Sequence, residues 1–245
     1  VHRERLKERG FRIGRVVSVG AAVGVLLAFL AAASLASVRA ITRSDATSVA
    51  TAISIRHSDL PTLKQVSNPI TPQELRLDAQ AIKCGGAVPL SEAYANTQSA
   101  EFVSLGTPSV TVVSSAEILP SATLVAKDFA AVERPRALSC LVSEFSSALR
   151  ASLPKGDALT AASAARLPSV VAGSGATVDI RVTCAVAVRN GASTVSVPVY
   201  VDQIGFSDGQ AEVTLEVQTA AVKPSTALER RLAGLLVARA RAAIG

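Results

Sequence analysis

One stretch constrains this chain more than any other. From Val16 to Val38 it reads VVSVGAAVGVLLAFLAAASLASV, 23 residues without a charge. As a helix rising 1.5 Å per residue it is about 35 Å long, enough to cross a hydrocarbon core of about 30 Å. It has no polar face, so burial as an amphipathic helix of a water-soluble core is a poor fit. Six basic residues precede it (Arg3, Arg5, Lys7, Arg9, Arg12, Arg15) against Glu4 and Glu8, and only Arg39 and Arg43 follow closely. The positive-inside rule then puts residues 1–15 in the cytoplasm and everything after Arg39 outside. A cleaved signal peptide is the rival reading, with Ser34-Leu35-Ala36 and Val38-Arg39-Ala40 as cleavage-like sites; it makes the product secreted. No cysteine follows the run directly, which excludes a lipid-acylated cysteine anchor. Gly20 and Gly24 have the G-x-x-x-G spacing that lets membrane helices approach closely.

The charge must be split in the same way. The formal net charge is +6, but residues 40–245 hold 18 basic and 17 acidic residues. The excess belongs to the N-terminal segment. Nucleic-acid binding needs clustered cations that neutralise phosphates, and the exported part has none, so no nucleic-acid partner is expected. The expected organisation is a basic cytoplasmic segment (1–15), a transmembrane helix (16–38), a polar stalk (39–58) and an extracytoplasmic domain (59–245).

The periodicity of that domain changes along the chain. Thr71-Pro72-Gln73-Glu74 is a helix start, with a Thr cap, Pro at the first turn and Glu at the capping-box position; Cys84-Gly85-Gly86 ends it. Residues 110–119 are rich in β-branched side chains and predict a strand. Helices follow at 122–132 and from Pro135 to about Leu153, where Leu138, Leu141, Val142, Phe145 and Leu149 form one stripe. A loose Ala/Ser/Gly stretch leads to Gly175. Then the period becomes two. Val178, Ile180, Val182, Cys184, Val186 and Val188 share a face, Asn190-Gly191 is a hairpin signal, and 195–201 and 213–217 alternate in turn. These three strands predict an antiparallel meander with one apolar face, Glu212 and Glu216 lying on the solvated face. Pro224-Ser225-Thr226 opens the last helix. The fold class expected is α+β, an antiparallel sheet covered by amphipathic helices.

The short motifs Asp59-Leu60-Pro61, Cys84-Gly85-Gly86, Val113-Ser114-Ser115, Arg136–Leu141 (RALSCL), Gln210–Leu215 (QAEVTL) and Ala227–Arg231 (ALERR) resemble uncharacterised actinobacterial membrane-anchored or secreted proteins. These are similar in turn to sensor-like extracytoplasmic domains and to LpqN-type lipoproteins with a PsbP-like α/β/α sandwich. The resemblance spans about residues 55–243. It implies an envelope location and a binding role, and it transfers no catalytic residue.

The three cysteines all fall on the exported side, where disulfides persist. Cys184 shares its face with five Val or Ile positions, where a thiol packs as a small apolar group, which leaves Cys84 and Cys140 to pair. Closing a loop of about 57 residues stabilises by about 4 kcal/mol in the chain-entropy description. Cys and His are too few and too far apart for zinc, and no metal or cofactor site is expected. His57 is the one exported histidine. No nucleophile elbow, P-loop, G-x-G-x-x-G or H-E-x-x-H accompanies it, so no catalytic residue is assigned. The function expected is a membrane-anchored extracytoplasmic binding or sensor-like domain of the bacterial envelope, its ligand or protein partner unnamed. A structural or assembly partner of an envelope membrane complex is the alternative. A secreted hydrolase using a serine and His57 is a more distant one.

Overall fold

The computed structural model describes residues 40–245, apart from 105, 107, 174 and 192. The apolar run 16–38, with Gly20 and Gly24, lies outside the described residues. Among the described residues no helix is long and apolar enough to cross a membrane.

In chain order the elements are α1 (Ala46–Ile53), β1 (Lys64–Val66), α2 (Pro72–Gly85), β2 (Ala95–Gln98), β3 (Glu101–Ser104), β4 (Val110–Ile118), α3 (Ala122–Val132), α4 (Pro135–Ser152), β5 (Ala158–Leu167), β6 (Thr177–Asn190), β7 (Ser193–Asp208), β8 (Ala211–Ala220) and α5 (Thr226–Ile244). The strands form one eight-stranded sheet in the order β1-β3-β4-β8-β7-β6-β5. Every pairing is antiparallel. β2 lies on the same side of β4 as β3, and the register shifts by one residue between Gln98↔Ser115 and Phe102↔Val112. β2 and β3 are thus one strand interrupted at Ser99-Ala100.

The local signals behave as capping chemistry dictates. Thr71 Oγ1 accepts the Glu74 N–H and the Glu74 carboxylate accepts the Thr71 N–H, closing both ends of a capping box. Gly86 ends α2 in the left-handed region at φ 78°, where a side chain would be strained and where its N–H reaches the Ile82 carbonyl. Ser121 and Ser225 cap α3 and α5. Asn190-Gly191 makes the β6–β7 turn with φ 65° at the glycine.

The α+β expectation with a helix-covered antiparallel sheet holds, but helices cover both faces rather than one. α1 and α5 pack on the face carrying Phe102, Val112, Ile118, Ile204, Phe206 and Leu215. α3 and α4 pack on the face carrying Ile180, Val182, Val186, Val199 and Val201. Burying the second face overturns the solvated-face reading of Glu212 and Glu216, which are both buried.

Two further expectations fail. The Ala/Ser-rich stretch after Pro154 is not loose: it holds β5, ten residues paired with β6. Ala and Ser are weak strand formers, and here the pairing and the α4 cover supply what propensity does not. The segment 39–58 is not a polar stalk. It contains α1, whose Ala46, Ala50 and Ile53 are each 0% exposed in the α5 core. The polar residues that suggested a stalk occupy the opposite side of this helix.

Cys84 and Cys140 form a disulfide, Cα to Cα 5.8 Å, tying the end of α2 to α4. Cys184 is free and buried under α4 with the valines of β6; burial pushes its thiol up to about 11. Non-reducing mass spectrometry should show a Cys84–Cys140 crosslinked peptide. Replacing both with Ser should lower the unfolding free energy by about 4 kcal/mol. A denaturation midpoint unchanged by the double replacement would contradict the pairing.

Candidate functional site

A groove rich in hydroxyls lies on the described surface, and α1 builds it. Ser44, Thr47, Ser48 and Thr51 recur at three- and four-residue spacing, so they form one stripe, opposite the buried Ala46–Ala50–Ile53 stripe. Across from them lie Thr97, Gln98 and Ser99 at the end of β2, and Arg56 stands at the rim. The hollow is about 840 Å³. A second hollow of about 630 Å³, lined by Gln65, Ser67, Asn68 and Pro69, shares Gln98 and Ser99 with it. The two make a continuous groove along the end of β2.

The proton bookkeeping inside the groove is partly settled. Ser48 Oγ donates to the Asp45 carbonyl and Thr51 Oγ1 to the Thr47 carbonyl, each at 2.7 Å. Their oxygens therefore face the groove as acceptors. Arg56 Nη2 donates to the Ala52 carbonyl at 3.1 Å. Thr97 Oγ1 is buried in the groove wall without a hydrogen-bond partner, a state uncommon enough in folded proteins to mark the spot. β2 pairs with β4 alone among the described strands, which leaves its second edge with N–H and C=O groups of its own. Ser99 fixes the break in this strand, its Oγ accepting the Ser114 N–H at 2.9 Å. Ser114 Oγ in turn accepts the Ile55 N–H at 2.9 Å, which locks the end of α1 to β4.

A second polar cluster lies inside, with Glu117 half-buried at its edge. Under α2, α3 and α4 the sheet presents Glu117, Glu212, Glu216 and Gln203, and the helices add Asp78, Asp128 and Glu144. Glu117 stands directly opposite Glu212 across β4–β8. Glu144 is 4% exposed, and as a carboxylate it finds no donor for either oxygen. Burial, followed by the charge of Asp78 beside it, drives the Glu144 carboxyl far above its usual range. Glu144 is thereby kept protonated beside Asp78. Glu212 is raised by burial and by the charges of Asp128 and Glu117, and bonds to Asp128; Asp128 also accepts the Val88 N–H. Burial pushes Glu117 up to about 8.

The opposite face has its own version. Arg181 holds Asp202 with two hydrogen bonds, Nε to Oδ1 at 2.6 Å and Nη2 to Oδ2. Glu229 of α5 is raised by burial, and next by the neighbouring Asp202 carboxylate, to about 8. Asp202 is therefore a buried ion-pair partner. Asp179 accepts the Val170 N–H at 2.7 Å, and burial lifts it to about 6.

No group of three or more His, Cys, Asp or Glu among the described residues is placed to hold a metal ion. His57 lies in a 3₁₀ turn with its ring stacked on Phe102 at 6.5 Å. Asp59, two residues on, is a structural tie: Arg239 binds both its oxygens at 2.8 and 2.9 Å, and the Arg56 N–H binds one at 2.7 Å. Burial opposes ionisation of Asp59, and these bonds outweigh it, holding its carboxyl below the usual range. Leu60, within the same Asp59-Leu60-Pro61 motif, is buried in the α5 core.

No protein family, curated protein or solved structure matches this chain. Neither polar cluster was found in the sequence, although both left a signal there. The hydroxyl stripe of α1 faces an apolar stripe, the mark of an amphipathic helix. Glu144 sits among Cys140, Leu141, Phe145 and Ala148 on the buried side of its helix.

The carboxyl pairs fix the sign of the pH dependence. In the folded chain these groups keep protons at pH values where the unfolded chain, with carboxyls near 4, has lost them. The contribution of these groups to stability is therefore full below about pH 4 and is lost as pH rises from there through about 6 to 8. Each retained proton contributes a slope of about 1.4 kcal/mol per pH unit within its window. Thermal unfolding should show a lower midpoint at pH 9 than at pH 5. Glu144→Gln, which cannot ionise, should flatten that slope and raise the midpoint at pH 8 by about 2–4 °C for each kcal/mol recovered. A midpoint that climbs between pH 5 and pH 9 would contradict the protonated carboxyls.

Proposed function

We propose that this chain is a single-pass membrane-anchored binding or sensor-like domain exposed on the outer side of a bacterial cell membrane, with the α1–β2 groove as its binding place. The observation that carries this reading is the groove itself. Hydroxyls, amides and the apolar Ala52 and Ile55 line it, with one cation at its rim, and it lies beside a strand edge that no other described strand pairs. Such a lining suits a neutral polar ligand that donates hydrogen bonds to hydroxyl oxygens and meets a strand edge along its length. The uncharged run 16–38, with its arginines on the N-terminal side, supports the membrane and the direction. The Cys84–Cys140 disulfide supports an oxidising compartment.

A second reading, a structural partner in an envelope complex, draws on β5. This ten-residue strand ends the sheet, and Arg166 is its one charged residue. Long edges lacking lysine, proline or repeated charge invite pairing with another strand. The Gly20 and Gly24 spacing adds a possible helix contact in the membrane.

Protease treatment of intact cells should remove the domain from residue 40 onward while leaving an epitope placed at residues 1–15 protected. Resistance of the domain in intact cells, with digestion only after lysis, would overturn the topology. For the second reading, Gly20→Leu with Gly24→Leu should weaken self-association in a membrane reporter assay; an unchanged signal removes the helix contact.

A further inference from the structure

The point where the chain joins the folded domain is rigid and lies almost at the end of the apolar run. Ile41 is 7% exposed. Its N–H donates to Gln210 Oε1 at 2.7 Å, and Gln210 Nε2 returns a bond to the Ile41 carbonyl at 3.3 Å. The same Nε2 reaches the Leu119 and Pro120 carbonyls at 2.9 and 3.1 Å. One amide thus clamps the incoming chain, the β7–β8 turn and the end of β4 together. Only Arg39 and Ala40 separate Val38 from this clamp. Three residue steps span at most about 11 Å, and the headgroup layer itself is about 5–7 Å thick on each side. A domain on so short a tether stands within several ångströms of the lipid headgroups.

What lies beside the clamp suits that position. Arg43 is exposed, with its guanidinium over the Tyr94 ring at 4.9 Å, and the Tyr94 N–H ties to Ile118 at the end of β4. A tyrosine with an arginine is the pairing that settles at a membrane–water interface, its ring at headgroup depth and its cation toward phosphate. Gly209 sits against Ile244, so the C-terminal turn of α5 is at this same end. Arg241 lies over Gly173 of the loop that leads into β6. The charges of the described residues gathered here are Arg43 and Arg241 against Asp45, Glu92 and Asp208.

We propose that this end of the sandwich rests on the outer phospholipid surface: Arg43 with Tyr94, the Gly209-Gln210 turn and the last turn of α5, with the Arg43 guanidinium at the lipid phosphates. The proposal rests on residues 16–38 spanning the membrane and goes beyond it, because a spanning helix alone does not dictate which part of the domain faces the lipid. The β6–β7 turn then points away from the membrane. The groove opens sideways close above the lipid, since Ser44 lies one residue after Arg43 and α1 is about 12 Å long.

The chain has no tryptophan, so single reporters can be placed in it. In the full chain reconstituted into phosphatidylcholine–phosphatidylglycerol nanodiscs, Tyr94→Trp should be quenched by headgroup spin-labelled lipid about three-fold or more above Val195→Trp. Val195 is 50% exposed near the far turn, about 36 Å from the Phe206 end of β7 at 3.3 Å per residue. Gly245→Trp, at the exposed chain end, repeats the measurement without touching the Tyr94 packing. Adding Arg43→Ala to Gly245→Trp should reduce the quenching. Equal weak quenching of all three reporters, in chains retained by the discs, overturns the contact while leaving the anchor intact. Failure of the chain to enter discs or float with vesicles overturns the anchor, and the contact with it.

Discussion

Strand β8, residues 112–118 of β4 and residues 199–207 of β7 have neither face open to water. Helices α1 and α5 cover one side and α2, α3 and α4 the other, so the side chains of this central region must be satisfied inside the protein. The α1/α5 side meets that demand with Ile204, Phe206, Val213, Leu215 and Val217. The other side meets it only partly, because Gln203, Glu212 and Glu216 occupy the alternate positions. An isolated buried carboxylate is prohibitively costly, so such groups stay protonated or share a proton. The Glu144–Asp78 and Glu212–Asp128 pairings are that solution, and they link α2 to α4 and α3 to β8. The disulfide from Cys84 to Cys140 reinforces the same α2–α4 contact by covalent means. The helical layer over this face is thus held by its apolar packing on the sheet, by one sulfur bond and by protonated carboxyls.

The first twenty described residues act as the key of the structure. α1 seals the α5 core with three small or branched residues, while its hydroxyl side builds the groove. Ile41 locks to Gln210, Ile55 to Ser114 and Asp59 to Arg239, three fastenings that reach a strand turn, a strand centre and the last helix. Those fastenings place the groove and the Gln210 end of the sheet through the same short segment.

The legible parts of the sequence were those whose signals are local. Thr71-Pro72-Gln73-Glu74 and Gly86 bound α2 through hydrogen bonds within a few residues, and Asn190-Gly191 bends one hairpin through its own backbone. Strands β6 to β8 alternate strongly enough to be read directly. Cys184 declared itself apolar by its neighbours on β6, which left Cys84 and Cys140 to each other. The illegible parts were those whose meaning depends on distant partners. β5 is an Ala/Ser strand only because β6 lies beside it and α4 above it. β2 and β3 are too short for alternation to show. Glu212 and Glu216 alternate with valine and leucine as solvent-facing residues do, and nothing in their own strand reports that helices from 72–85 and 122–152 close over them.

The amino-acid order alone determined the capped helices, the meander, the cysteine pairing and the direction of charge around the apolar run, because each is settled by neighbours a few positions away or by the chemistry of a single residue type. Tertiary structure decided the second helical layer, the protonated carboxyls it traps, the conversion of an expected stalk into α1, and the groove that α1 makes with β2. These arise only when segments 60 to 170 residues apart meet, as Ile55 does with Ser114 and Ile41 with Gln210, and burial then sets what each polar side chain must do.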